Sequence, residues 1–238
     1  MRKTGNIFMW KKSKWPLELL FIIGIISMIN QSILFIGGND IYSLITGYII
    51  NIIGLLSLLI FAIFKINEAS KIDNHSLHYF ATRKFTIKDV LLVLLLFILS
   101  NIIYVIVIKI EFIHVFDMNK FTHIAFNYTH RTSFQTSLIV LLIILIIIAG
   151  VFAEELYFRC YLFEIQYKHF KNYTWLINGL SWSIFHIFSP RNFLAFLPTC
   201  LLYSYIYQRR RNIWITICAH LINNFVAFYP VIKTYIQK

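Results

Sequence analysis

The stretch LIVLLIILIIIAGVFAEELYFR, residues 138–159, decides the fold. Residues 138–153 carry no ionisable group, and Glu154, Glu155 and Arg159 then follow without an intervening loop. A helix crosses the ~30 Å hydrocarbon of a bilayer in about 20 apolar residues, and this run has that length. Ionisable side chains in such a segment are expensive to keep, so they mark a functional site. Two later apolar segments carry the same kind of group, His186 on one and His220 with Asn224 on the other. The C-terminal half of the chain is therefore the functional half.

Composition agrees with a membrane protein. Of 238 residues, 59% are hydrophobic and 13% charged, whereas a soluble domain carries about 25% charged residues. The formal charge of +12 reads as loop charge that sets topology, and no nucleic-acid partner is expected. No Pro/Gly/Ser-rich linker divides the chain, so residues 1–238 read as one membrane domain. Cys160, Cys200 and Cys218 lie far apart and in no CxxC spacing; they fit apolar fillers better than a disulfide set or a zinc site. Arg2, Lys3, Lys11, Lys12 and Lys14 precede an apolar run, as in a signal peptide. The run Leu17–Ile36 is longer than a signal h-region and no A-x-A site follows, so it reads as an uncleaved first transmembrane helix.

The expected spans are Leu17–Ile36, Ile41–Ile66, Asp89–Ile108, Leu138–Phe158, Trp175–Phe188, Phe193–Tyr207 and Ile213–Tyr229. The fifth and sixth are short and split by Ser189-Pro190-Arg191, where proline fits a tight connection. The polar, aromatic segment Glu111–Ser137 holds an interfacial helix, a lid or an eighth span. The expected fold is thus an all-α polytopic bundle of seven transmembrane helices, or eight, with an intramembrane cavity. With a cytoplasmic N-terminus, the inner segments hold five, five, three and three Lys and Arg residues, sixteen in all, against six outside. That bias obeys the positive-inside rule and puts the chain in the cell membrane as a multi-pass protein. Trp15, Trp175 and Trp214 fall at the expected inner borders, where amphipathic rings are favoured. His75, His78, His114, His123 and His130 match no metal spacing and read as structural or solvated.

The site follows from helical geometry. Glu155 and Arg159 are four apart, on one face and in the favourable acid-before-base order, so each is assigned to the other. Glu154, one residue away, points to a different face and is left without a local cation, as suits a general base. His220 and Asn224 are also four apart and share a face. At 1.5 Å per residue, Glu154, His220 and His186 lie roughly 15, 12 and 16 Å from the polar ends of their helices. These depths can coincide in one cavity open to the cytoplasm. A carboxylate and a histidine can hold and deprotonate water; a second histidine and an asparagine can donate to an oxyanion. Taken singly, each residue reads as structural: a membrane histidine or asparagine as an interhelical hydrogen bond, a Glu–Arg pair as a device for helix register. Taken together at one depth, they read as a site for direct water attack on an amide.

These residues resemble the CPBP family of intramembrane proteases, which includes the type II CAAX prenyl endopeptidases and bacteriocin-immunity (Abi) proteins. The family pattern EExxxR stands here as Glu154-Glu155-Leu156-Tyr157-Phe158-Arg159. Its FxxxH stands as Trp182-Ser183-Ile184-Phe185-His186, with tryptophan for phenylalanine, and its HxxxN as His220-Leu221-Ile222-Asn223-Asn224. The resemblance covers residues 138–229, a catalytic core. It implies that Glu154 and His186 activate the water and that His220 and Asn224 stabilise the oxyanion. Glu155, Arg159 and Trp182 support them, Trp182 as a large aromatic wall. Family members are often described as metalloproteases, and Glu154, His186 and His220 could hold zinc. There is no HExxH, and asparagine is a poor zinc ligand, so no obligatory cofactor is expected.

The expected function is an intramembrane endopeptidase acting on a membrane-associated peptide or protein, in peptide maturation or bacteriocin self-immunity. The rival from another class is a non-catalytic membrane immunity or scaffold protein that binds a toxin or sensor. A small transporter is a third reading; transporters usually show internal repeats, which this chain lacks.

Overall fold

The computed structural model describes Pro16, Glu18 and Ile22 and residues 41–72, 84–109, 132–186 and 190–236. Every regular element among them is helical. In chain order they are α1 (Ile41–Ile72), α2 (Ile87–Lys109), α3 (Ser133–Glu155), a π-helical segment (Leu156–Leu162), α4 (Phe163–Phe170), a 3₁₀ turn (Lys171–Tyr173), α5 (Thr174–Phe185), α6 (Pro190–Arg210) and α7 (Ile213–Ile236). Among the described residues four helical stretches are long and apolar enough to cross a membrane: Ile41–Glu68, Ile87–Val107, Ser133–Phe185 and Ile213–Lys233. The described residues are thus all-helical, and their apolar helices make this a multi-pass membrane protein. The expected first span Leu17–Ile36, apart from Glu18 and Ile22, lies outside the described residues. So do His75, His78, His114, His123 and His130, and with them most of Glu111–Ser137.

Lipid explains which faces stay open. Ile49, Ile53, Leu56 and Ile60 of α1 and Leu91, Leu94, Leu95, Ile98, Ile102 and Val105 of α2 are exposed. In water such patches would drive aggregation; against acyl chains they are simply solvated. The opposite faces pack inward, α1 on α3, α7 on α3 and α2, and α6 on α5 and α2. Two apolar clusters result. One joins Ile41, Ile139, Ile143, Ile147 and Tyr235. The larger one surrounds Tyr157, Phe158, Trp182, Tyr203 and Tyr207. Close packing of α5 on α6 depends on Gly179, where an added Cβ would stand 2.8 Å from the Leu201 Cα. A small residue lets the two backbones approach, the usual device where the hydrophobic effect cannot draw helices together.

Three local features refine the sequence reading. Helix α3 begins before Leu138: Thr132 caps it, accepting from the Gln135 N–H while the Thr132 N–H donates to the Gln135 side chain. This reciprocal pair satisfies two donors that a helix start leaves open. Past Glu155 the helix widens to π geometry rather than running on as regular α-helix, and such segments are often found at functional sites. Pro190 is the first residue of α6, a position where its missing N–H is not needed.

One end of the bundle gathers the charges. Asp89 at the start of α2 pairs with Arg210 at the end of α6 at 2.6 Å. Glu164 on α4 pairs with Arg211, whose guanidinium lies 4.3 Å from the Tyr167 ring centroid. The backbone N–H of Trp175 donates to Gln208 of α6 at 2.8 Å, so the borders expected from Trp175 and from Arg209–Arg211 lie together. Arg159 is the exception. The charge count assigned it to an inner loop, but it is fully buried inside the bundle. It faces protein partners instead of setting topology, and the inner total falls by one without changing the sign of the bias.

Candidate active site

The site is assembled from α3 and its π-helical continuation, α5 and α7. Glu155 and Arg159 lie at 1% and 0% side-chain exposure and pair at 3.2 Å through Nε, as expected from their spacing. The pairing extends further than the spacing indicates. Arg159 Nη1 also donates to Asn178 Oδ1 of α5 and, at 2.9 Å, to Ser204 Oγ of α6. Its guanidinium carbon stands 4.3 Å from the Trp182 ring centroid. Asn178 in turn donates to the Phe158 carbonyl at 2.9 Å and to Gln166 Oε1 at 3.0 Å. A buried cation needs a carboxylate and further acceptors to compensate for lost water; Glu155, Asn178 and Ser204 serve Nε and Nη1, while Nη2 is buried without a hydrogen-bond partner among the described residues.

The other carboxylate is differently placed. Glu154 is 13% exposed and His186 26%, and both line a cavity of about 340 Å³. Glu154 Oε2 accepts from the Trp182 indole N–H at 2.7 Å. This adds to the sequence reading, in which Trp182 was a supporting aromatic wall and Glu154 was left without a local cation. The indole N–H is a donor that phenylalanine lacks. His186 caps the C-terminal end of α5, its backbone N–H bonded to the Ser183 carbonyl at 2.9 Å. Its Nε2 lies 3.6 Å from Glu154 Oε2, beyond direct hydrogen-bond length and within the reach of one bridging solvent.

His220 is held by the buried pair. Its Nδ1 lies 3.1 Å from Glu155 Oε1, so Glu155 serves two partners, Arg159 through one oxygen and His220 through the other. A carboxylate on Nδ1 fixes the ring and leaves Nε2 as its other working atom. The His220 ring sits edge-on to Trp182, centroids 5.2 Å apart. Both His220 and Asn224 line the same cavity as Glu154 and His186. Asn224 forms no hydrogen bond with the described residues, which leaves its amide available.

The sequence reading missed a second polar group on the cavity wall. Asn223, next to Asn224, donates to Tyr203 at 2.6 Å and to Ser100 at 2.9 Å, and accepts from Asn101 at 2.7 Å. Ser100 and Asn101 were visible as polar residues in the middle of an apolar span, but nothing in their spacing pointed to α7. Among the described residues no three His, Cys, Asp or Glu side chains are grouped to hold a metal ion. His220 offers Nδ1 to Glu155, and one Glu154 oxygen is taken by Trp182.

These features define a class: a polytopic helical membrane protein whose carboxylate, two histidines and amide face one intramembrane cavity. Residues 136–226 match the family model described as Type II CAAX prenyl endopeptidase Rce1-like, in support of the CPBP recognition drawn from the three motifs. No curated protein and no solved structure matches the chain.

Replacing Trp182 with phenylalanine keeps the ring and removes the N–H. The turnover rate is expected to fall about 10- to 150-fold while membrane abundance holds, because one hydrogen bond to a charged acceptor is worth ~1.5–3 kcal/mol. Turnover equal to wild type would return Trp182 to the role of a wall.

Proposed function

We propose that the protein is an intramembrane endopeptidase that hydrolyses a peptide bond of a membrane-associated peptide or protein by direct attack of water. The observation that carries this reading is the convergence of Glu154, His186, His220 and Asn224 from three helical segments on one cavity. The family match over residues 136–226 supports the same activity class. Glu154 takes a proton from a water held between it and His186. The hydroxide adds to the scissile carbonyl carbon, and the carbonyl π electrons move to oxygen. That oxyanion accepts hydrogen bonds from the Asn224 amide and from the His220 ring, which Glu155 orients through Nδ1. Collapse breaks the C–N bond, and the proton held by Glu154 passes to the departing amine. Preorganised donors act mainly on the transition state, so they raise the rate more than they raise affinity.

The whole chain, in this reading, forms a single membrane domain of seven spans, or eight, with residues 138–229 as its catalytic core. Its N-terminus is cytoplasmic in the cell membrane. Cysteines introduced near Lys12 and near Gln237 should label from opposite sides; labelling from one side would require an eighth span. Peptide maturation or bacteriocin self-immunity is the setting that best suits such an activity.

The mechanism needs no obligatory metal, since base, acid and oxyanion donors are all supplied by side chains. A chelator should leave purified protein active; loss of activity restored by zinc would recast His186 and His220 as ligands. Asn224→Ala should lower the cleavage rate about 10²–10³-fold with little change in substrate binding, the usual effect of losing an oxyanion donor. Peptide mass spectrometry on membranes of cells making wild-type or Glu154→Gln protein tests the function itself. New peptides should appear with wild type alone. Identical peptide profiles would remove the endopeptidase reading in favour of a binding protein.

A further inference from the structure

The cavity is walled on one side by helices that the family match does not include. Asn51 of α1 and Asn101 of α2 both line it, and both precede the matched residues 136–226. Each sits well inside a membrane-spanning stretch, Asn51 in Ile41–Glu68 and Asn101 in Ile87–Val107. A carboxamide at such a depth is costly unless its polar atoms find partners.

Within the protein they are only partly matched. Asn101 Nδ2 donates to the Phe97 carbonyl and to Asn223 Oδ1, both at 2.7 Å. A backbone carbonyl can only accept, so these contacts fix which end of the amide is nitrogen and use both of its hydrogens. The Asn101 Oδ1 is left with no partner among the described residues, on a side chain that lines the cavity. Asn51 forms no hydrogen bond at all among the described residues. The cavity therefore presents an acceptor on α2 and a complete donor–acceptor pair on α1. A peptide backbone offers the same two groups at every residue, and in a water-poor cavity it needs partners for them. The cavity lining also includes the apolar side chains Leu55, Ile147 and Phe228. That surface takes side chains of an extended segment while the amides take its backbone.

We propose that Asn51 and Asn101 bind the backbone of the peptide substrate, with Asn101 Oδ1 accepting a substrate N–H and the Asn51 amide pairing with a neighbouring peptide group. The proposal rests on the endopeptidase reading and deepens it: selection falls on an extended, unpaired backbone more than on particular side chains. Helices α1 and α2 thereby supply the substrate-binding half of the cavity, while α3, α5 and α7 supply the reacting groups.

The test uses full-length protein in liposomes and synthetic copies of a precursor found through its Glu154-dependent products. In each copy one N–H away from the scissile bond is replaced by an ester oxygen. With wild type, esters at one or two positions should raise KM about tenfold at nearly constant kcat, the factor expected from losing one hydrogen bond made equally in ground and transition states. In Asn101→Ala the penalty at one position should vanish, and in Asn51→Ala the penalty at a neighbouring one, since each partner is already gone. Asn51→Ala loses no hydrogen bond among the described residues, so its membrane abundance should stay at the wild-type level. It keeps the test decisive if Asn101→Ala disturbs the Asn223 network. Ester penalties identical in all three proteins at every position would overturn the proposal and leave the endopeptidase reading standing. A screen that yields no Glu154-dependent product would remove both.

Discussion

Glu154→Gln is expected to abolish turnover and to leave membrane abundance near wild type. The substitution keeps shape and removes the carboxylate that the proposed mechanism uses to accept the proton of the attacking water. The amide oxygen of glutamine can still accept from the Trp182 indole, the 2.7 Å contact that holds Glu154 in place. The cavity wall is therefore retained while the base is lost. Quantifying membrane-extracted protein beside product formation separates the two effects. Unstable Glu154→Gln protein would mean that Glu154 is structural, and product formation near the wild-type rate would mean that another group is the base.

Glu155→Ala is expected to fail in the opposite way, by loss of folded protein. Glu155 is 1% exposed and holds two partners, Arg159 at 3.2 Å and His220 at 3.1 Å. Its removal strands a fully buried guanidinium, which costs about 3–5 kcal/mol. That is a large fraction of the ~5–15 kcal/mol that separates folded from unfolded chains. Asn178 and Ser204 remain on Arg159, but neither is a counter-charge. Membrane abundance and thermal unfolding in detergent should both drop sharply. A Glu155→Ala protein as abundant as wild type, and inactive, would instead make Glu155 the base, with Glu154 the structural partner.

The contrast between two adjacent glutamates was legible in the sequence because helical geometry separates neighbours by about 100°. The four-residue spacing to Arg159 then assigned the structural role to Glu155. Depth counting brought His186 and His220 to the level of Glu154, and all three line one cavity. What the sequence did not yield is whatever depends on contacts between helices. Asn178 and Ser204 stand 19 and 45 residues from Arg159, and no periodicity links them. Trp182 looked like a wall because its indole N–H has meaning only once α5 lies beside α3. His220 paired with Asn224 by spacing, yet its Nδ1 is held by Glu155, 65 residues away. The π-helical segment left no mark in the hydrophobic pattern, because Leu156–Leu162 is buried on every side. Asn51 and Asn101 were passed over for a related reason. A single amide in an apolar run reads as an interhelical contact, and only the shared cavity distinguishes it from one.

The most direct measurement is cleavage of a precursor peptide by the purified protein in liposomes, with the products sequenced by mass spectrometry. The wild-type protein is predicted to generate a new C-terminus at one peptide bond, and the Glu154→Gln protein none at equal protein content. Equal cleavage by both proteins, or binding of the peptide by both without cleavage by either, would contradict an endopeptidase that activates water at Glu154.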